Sequence, residues 1–217
     1  MSILLIVEND MTAKDNLSAI HKVDGLQLNN ANGSVIVRSQ DVGCINIASG
    51  KIVLGNPMIK GSMSDFKRKC LAHDVTPGVY PVLVYHAQTE SECYVAFAEI
   101  RFSDKRPVRY VTAKTISDAE TKRRGFCGYP VHESATGFMD ADTFEKICNL
   151  PRYKDSLSLL ELDEDQEGIE NYAIAYDNER NPCAVQFRVA GGYYYWYWGK
   201  DSNGEICCLI GDFFTFA

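Results

Sequence analysis

Hydrophobic and polar positions alternate in short runs along most of this chain, and turn-forming residues cut the runs at brief intervals. Turn signals fall at Asn32-Gly33, Ser49-Gly50, Gly55-Asn56-Pro57, Pro77-Gly78, Asn181-Pro182, Gly191-Gly192 and Asn203-Gly204. Between them lie segments rich in β-branched and aromatic residues, which suit a pleated surface. The pattern predicts strands over 35–38, 43–47, 51–54, 79–86, 93–102, 108–113, 172–176, 184–189, 193–198 and 205–214. Helices are few. One is expected over 62–72, with Ser62 or Ser64 as N-cap and Phe66, Cys70 and Leu71 on one face. A second spans 140–150, with Asp140 as cap, Asp142 at the positive end of the dipole and Pro151 as a stop. A weaker third covers 115–124. Many short strands at this spacing define a β-rich α+β protein, its antiparallel sheets sandwich-like or strongly bent, with two or three short helices.

The last strands differ from the rest. The run from Tyr193 to Trp198 and the run from Glu205 to Phe214 flank Asn203-Gly204, a pair that tolerates the positive φ of a tight hairpin. Both are apolar on both faces, unlike a half-exposed strand. Two readings stand. In one the hairpin is central core. In the other, Tyr194, Trp196 and Trp198 enter the core while exposed members of Tyr193, Tyr195 and Tyr197 share a face that meets a partner. Tyr and Trp suit that role, because they join a large apolar area to a polar tip.

Length and composition set bounds. The 217 residues, 46% hydrophobic and 24% charged, can bury a proper core and are read as one compact domain, 1–217. The segment Glu161 to Gly168 is a concentrated acidic loop, expected to divide a main body from a C-terminal β unit. It lacks the alternating ligand spacing of a calcium loop. The net charge of −7 argues against nucleic acid, which needs clustered Lys and Arg. The short basic runs 67–69 and 122–124 read as solvated faces. No apolar stretch approaches the roughly 20 residues of a membrane span, and the N-terminus lacks the layout of a signal peptide. A cytoplasmic location is therefore expected.

The cysteines at 44, 70, 93, 127, 148, 183, 207 and 208 are scattered, and no Cys-x-x-Cys or His spacing suggests zinc. They are expected to be reduced, buried thiols, with no metal and no cofactor.

Several motifs occur in a familiar order: Asp41-Val42, Ser49 to Pro57, Pro77-Gly-Val-Tyr-Pro-Val82, Phe97 to Phe102, Gly128-Tyr-Pro-Val131, Gly137-Phe-Met-Asp140, Tyr197-Trp-Gly199, Asp201 to Gly204 and Asp212-Phe213. In these the chain resembles the largely bacterial domain of unknown function 4241. The family's usual Asp after the second Tyr-Pro-Val is His132 here, and Ala190-Gly-Gly192 replaces its Asp-Gly before the aromatic strand. The resemblance carries no established activity. Similar proteins occur around polymorphic-toxin loci, which implies an immunity-type role.

Candidate chemistry is sparse. Cys127 and His132, five apart around Gly-Tyr-Pro, are the one arrangement that a turn could bring together as a nucleophile and its base. His21, His73 and His86 lie beside no complementary motif. Asp140, Asp142 and Glu133 read as capping and solvated charge. The favoured expectation is a non-enzymatic binding protein that neutralises a basic protein partner, such as a toxin. In that reading Asp163, Glu164 and Asp165 steer association, and the exposed tyrosines hold the complex. The alternative is a small hydrolase or ligand-binding enzyme with a pocket around Cys127 and His132.

Overall fold

Among the described residues, thirteen strands fall into two antiparallel sheets. The computed structural model describes residues 15–21, 26–30, 33–89, 93–121, 128–131, 135–151, 160–164 and 172–214. The larger sheet contains β1 (Leu26–Asn30), β2 (Gly33–Ile47), β4 (Gly78–Gln88), β5 (Cys93–Arg101), β13 (Ile206–Asp212), β12 (Gly192–Lys200) and β6 (Arg109–Thr112), in that spatial order, and β7 (Tyr129–Val131) also pairs with β12. The smaller sheet runs β3 (Ile52–Leu54), β8 (Ala135–Asp140), β11 (Pro182–Arg188), β10 (Tyr172–Tyr176) and β9 (Glu161–Glu164). The helices are α1 (described over 15–20), α2 (Phe66–Lys69), α3 (Ile116–Glu120) and α4 (Ala141–Cys148). The expected β-rich α+β class with antiparallel sheets is what forms.

The two sheets bury a shared layer. Val82, Val84, Ile100, Trp196 and Leu209 of the larger sheet cluster with Leu54, Phe138, Ile174, Val185 and Phe187 of the smaller. Each outer face has its own apolar layer. On the larger sheet, Val37, Tyr85, Phe97, Tyr195, Tyr197 and Ile210 pack with Leu17 and Ile20, spaced i, i+3 on α1. On the smaller sheet, Val53, Met139, Ala175 and Ala184 pack with Phe144 and Ile147 of α4. Burial of each large apolar side chain stabilises by about 1.5–3 kcal/mol. Strands with an apolar layer on both sides need no polar face, which explains the doubly greasy β12 and β13.

One strand changes faces along its length. Val35 and Val37 belong to the outer layer, whereas Ile45 and Ile47 belong to the layer between the sheets. All four are odd-numbered, so an uninterrupted period of two would put them on one side. The register shifts between Asp41 and Gly43, where Gly43 adopts φ +112° and its N–H donates to Asp41 Oδ1 at 2.9 Å. This bulge joins the predicted strands 35–38 and 43–47 into one bent strand.

Two expectations are corrected here. Residues 161–164, the first half of the predicted acidic loop, form the edge strand β9, in register with β10 through Ile174↔Asp163 and Ala175↔Leu162. Strands after it do not form a separate unit. β10 and β11 complete the smaller sheet, while β12 and β13 lie inside the larger one between β5 and β6. The hairpin is apolar on both faces and is buried only by neighbours on every side.

The predicted helix 62–72 also breaks up. A 3₁₀ turn, Met63–Asp65, leads into the single turn of α2, and Cys70 and Leu71 then bridge to Val53 and Thr115. The third helix stops at Glu120, starting from a Thr115 cap. α4 forms as expected. Asp140 Oδ2 accepts the Asp142 N–H at 2.8 Å, and Oδ1 accepts both the N–H and the hydroxyl of Ser49 at 2.8 Å. The same carboxylate thus caps α4 and ties it to the turn after β2.

Candidate functional site

Strand β12 has a divided edge. Its second half pairs with β6 (Tyr197↔Thr112 to Lys200↔Arg109) and its first few residues pair with β7 (Gly192↔Val131 to Tyr194↔Tyr129). Between them the chain leaves the sheet after Ala113, whose N–H still donates to the Trp196 carbonyl at 2.7 Å. A cavity of about 470 Å³ opens at this parting.

Its floor comes from the layer between the sheets and includes Trp196 and Thr136. Its walls come from Leu54, Ala113 and the Gly128–Val131 segment, and its rim carries Asp65, Arg68, Lys69 and Asp118. The volume is in the range of small-molecule sites.

The floor carries unused hydrogen-bonding capacity. Trp196 and Thr136 are 2% and 1% exposed. Neither Trp196 Nε1 nor Thr136 Oγ1 has a partner among the described residues. A buried polar atom without a partner costs about 1–3 kcal/mol, and both of these atoms are closed off from the open space of the cavity. Packing fixes the indole, because Phe138 and Phe213 meet the ring edge-to-face at centroid distances of 5.8 and 5.6 Å. Several other polar groups on the walls are engaged. Tyr129 donates its hydroxyl to the Leu54 carbonyl at 2.8 Å, Thr115 donates to Asp118 at 2.8 Å, and Arg68 donates to Asp65 at 2.8 Å. Lys69 makes no ion pair among the described residues and lies 5.9 Å from the Phe144 ring centroid.

A second polar cluster lies on the outer face of the larger sheet, under α1. Glu99, 1% exposed, receives four described hydrogen bonds. His21 Nε2 lies 3.0 Å from Oε1, Tyr85 donates to Oε2 at 2.5 Å, and Arg101 donates at 3.3 and 3.4 Å. His21 Nδ1 is 3.0 Å from the Leu17 carbonyl and 2.8 Å from the Tyr110 hydroxyl.

Burial pushes Glu99 toward neutrality, but its bond to His21 and the charges of His21 and Arg101 outweigh that and hold it near 2. Burial also works against a charged His21, and the bond to Glu99, its charge and the Leu17 carbonyl prevail to raise it.

Donor atoms of His21, Glu99 and Cys208 lie within 4.8 Å of one another, close enough to share an ion or to suggest a Cys–His–acid triad. Chemistry disfavours both. The Cys207 thiol, burial and Glu99 together push the Cys208 thiol well up, so it is not a ready thiolate. Glu99 is already saturated with donors, one of them the cation Arg101. The cluster therefore reads as the anchor of α1 on the sheet.

The sequence-predicted site residues are dispersed. Cys127, His132 and Asp165 lie outside the described residues; the segment between the first two, Gly128–Val131, lines the cavity. Asp163 and Glu164 sit in edge strand β9. Among the tyrosines Tyr193 is 56% exposed, whereas Tyr195 and Tyr197 are 8% and 0% exposed. The shared partner face is thus corrected: the outer apolar layer takes Tyr195 and Tyr197, which stack at 6.0 Å. Tyr194, Trp196 and Trp198 enter the core as expected.

Buried thiols were also expected throughout. Cys70, Cys183, Cys207 and Cys208 are buried, but Cys93 is exposed and Cys44 and Cys148 are half-buried. Sequence reasoning missed His21, Glu99, Trp196 and Thr136 as site residues. Glu99 falls inside a predicted strand, 93–102, and nothing local in the sequence shows the helix that covers it.

The chain matches the family described as a protein of unknown function (DUF4241) over residues 45–211, and it belongs to that family. No curated protein and no solved structure matches it. No described helix is long and apolar enough to cross a membrane.

Proposed function

We propose that this is a non-enzymatic binding protein whose recognition site is the cavity at the parting of β6 and β7. One observation carries the reading: a cavity of small-molecule size opens where the edge of β12 is divided between β6 and β7, and Trp196 and Thr136 are among its lining residues. The one hydroxyl–carboxylate pair on the described walls, Thr115 with Asp118 at 2.8 Å, is the N-terminal cap of α3. The one described Cys–His–acid grouping is sealed under α1, with its thiol held protonated. Binding is the better account of such a cavity than turnover.

A cytoplasmic, immunity-type role toward a basic protein is the second reading. The net charge of −7 and the acidic edge strand β9 favour it. It lost two of its three tyrosine anchors to the core, so it ranks below the cavity.

The chain has only two tryptophans, so its indole N–H resonances are a clean reporter. A metabolite extract added to isotope-labelled protein is expected to shift the Trp196 indole signal and leave that of Trp198 in place. Trp196→Phe assigns the signal. If no fraction of the extract moves it, the cavity is not the binding site.

A further inference from the structure

Both ring nitrogens of His21 face oxygen. Nε2 lies 3.0 Å from Glu99 Oε1. Nδ1 lies 3.0 Å from the Leu17 carbonyl and 2.8 Å from the Tyr110 hydroxyl, which itself donates to the Leu17 carbonyl at 3.0 Å. A carboxylate and a carbonyl only accept, so a ring with a proton on each nitrogen satisfies all of these atoms. A neutral ring cannot. With its proton on Nε2, the single Tyr110 proton serves either Nδ1 or the Leu17 carbonyl, and the other goes without. With its proton on Nδ1, the Nε2 lone pair faces the Glu99 carboxylate. Each arrangement removes a bond between α1 and the sheet, and both remove the cation from the bond to Glu99.

Little else holds the described part of α1. Its buried apolar side chains are Leu17 and Ile20, with Ala19 half-buried beside them. Beneath it the outer layer of the larger sheet holds Tyr85, Phe97, Tyr195 and Tyr197. We propose that His21 makes α1 a proton-operated clasp, which lies on the sheet while the ring carries both protons and opens locally, uncovering part of that aromatic layer, when the ring loses one.

The groups around the ring leave the neutral and mildly alkaline range to His21. On β5, Glu99 is held near 2 and Arg101 stays charged. Burial pushes up Tyr85 on β4 and Tyr110 on β6. On β13 the Cys207 thiol and burial push Cys208 up, whereas the Cys208 thiol draws Cys207 down. His21 itself is raised above 6.5, burial opposing and the bond to Glu99 prevailing. A group raised on docking favours docking fully below 6.5 and stops doing so as pH rises through its docked value. Between these limits the opening equilibrium grows by about tenfold per pH unit, and above them it levels off.

Amide hydrogen exchange of the full chain, followed by NMR from about pH 6 to pH 9 and divided by the rates of unstructured peptide, reads that opening directly. Protection of the α1 amides is expected to fall by about tenfold per pH unit and to level off where the His21 ring signals titrate, while amides of β5 and β13 hold theirs. In His21→Gln, whether α1 is docked or free, its protection should no longer change with pH. Cys207→Ser should keep the wild-type profile. Flat protection of α1 in the wild type, or loss shared equally by β5 and β13, would overturn the clasp. So would a pH dependence that survives in His21→Gln or vanishes in Cys207→Ser.

Discussion

The indole of Trp196 fills the space that a side chain at its cross-strand partner Gly211 would need. A Cβ added at Gly211 would come within 2.8 Å of ring carbon Cζ3, closer than atoms of this kind approach. Glycine at 211 therefore lets the ring lie over β13, where Trp196 lines the cavity. Gly211→Ala is expected to displace the ring and cost about 1–3 kcal/mol through overpacking. Thermal unfolding measures the loss, and a shifted Trp196 indole resonance reports the displacement. An unchanged melting temperature together with an unmoved resonance would show that the neighbours absorb the methyl group.

Adjacent tyrosines on one strand face should respond very differently to truncation. Tyr195 is packed in the outer layer with Phe97, Tyr197 and Phe214, whereas Tyr193 is more than half exposed. Tyr195→Ala should cost about 3 kcal/mol or more, in line with emptying an aromatic site in a core. Tyr193→Ala should stay within about 0.5 kcal/mol. Urea unfolding of the two variants distinguishes a buried layer from a partner face, and equal losses would contradict the packing described.

The His21–Glu99 pair makes stability depend on pH in two windows. His21 is raised above its ordinary 6.5, so its contribution is full below that pH and is lost as pH rises through its folded value. Glu99 is depressed from 4.5 to about 2, so its contribution is present above 4.5 and is lost as pH falls toward 2. The pair favours folding most between these limits. In Glu99→Gln the loss between pH 4.5 and 2 should become shallower and the His21 ring should titrate lower. Urea midpoints across pH and the His21 ring signals test both, and a His21 titration identical to wild type would sink the assignment.

Thiol chemistry should follow exposure. Cys93 is exposed and is expected to react first with a thiol reagent in the native protein. Cys70, buried and raised to about 11, should be protected until the protein unfolds. Cys93→Ser should abolish the fastest described phase. Persistence of that phase in the variant would assign it elsewhere.

Local pattern carried much of the architecture. The strands at 79–86, 93–102, 172–176 and 193–198 and the helix from Asp140 were readable because each rests on a few neighbouring residues: a period of two, a cap, a proline stop. The matched family order was readable for the same reason, as a succession of short motifs. What escaped were the elements without a strong local signature, such as β7 and β9, and the joining of two strands across the Gly43 bulge.

The candidate site was legible only at its border. Gly128–Val131 stood out as a motif, but sequence gives no distance between Thr136 and Trp196, which are brought together across the two sheets. The sequence by itself determined that the chain is β-rich and antiparallel, and that Tyr194, Trp196 and Trp198 share a face. Tertiary structure decided that the opposite face is core as well, because α1 covers Tyr195 and Tyr197. It also decided that Glu99 meets His21, 78 residues away in the chain. Periodicity says which side chains share a side of a strand. Only the packing of layers decides whether that side meets water, a helix or a second sheet.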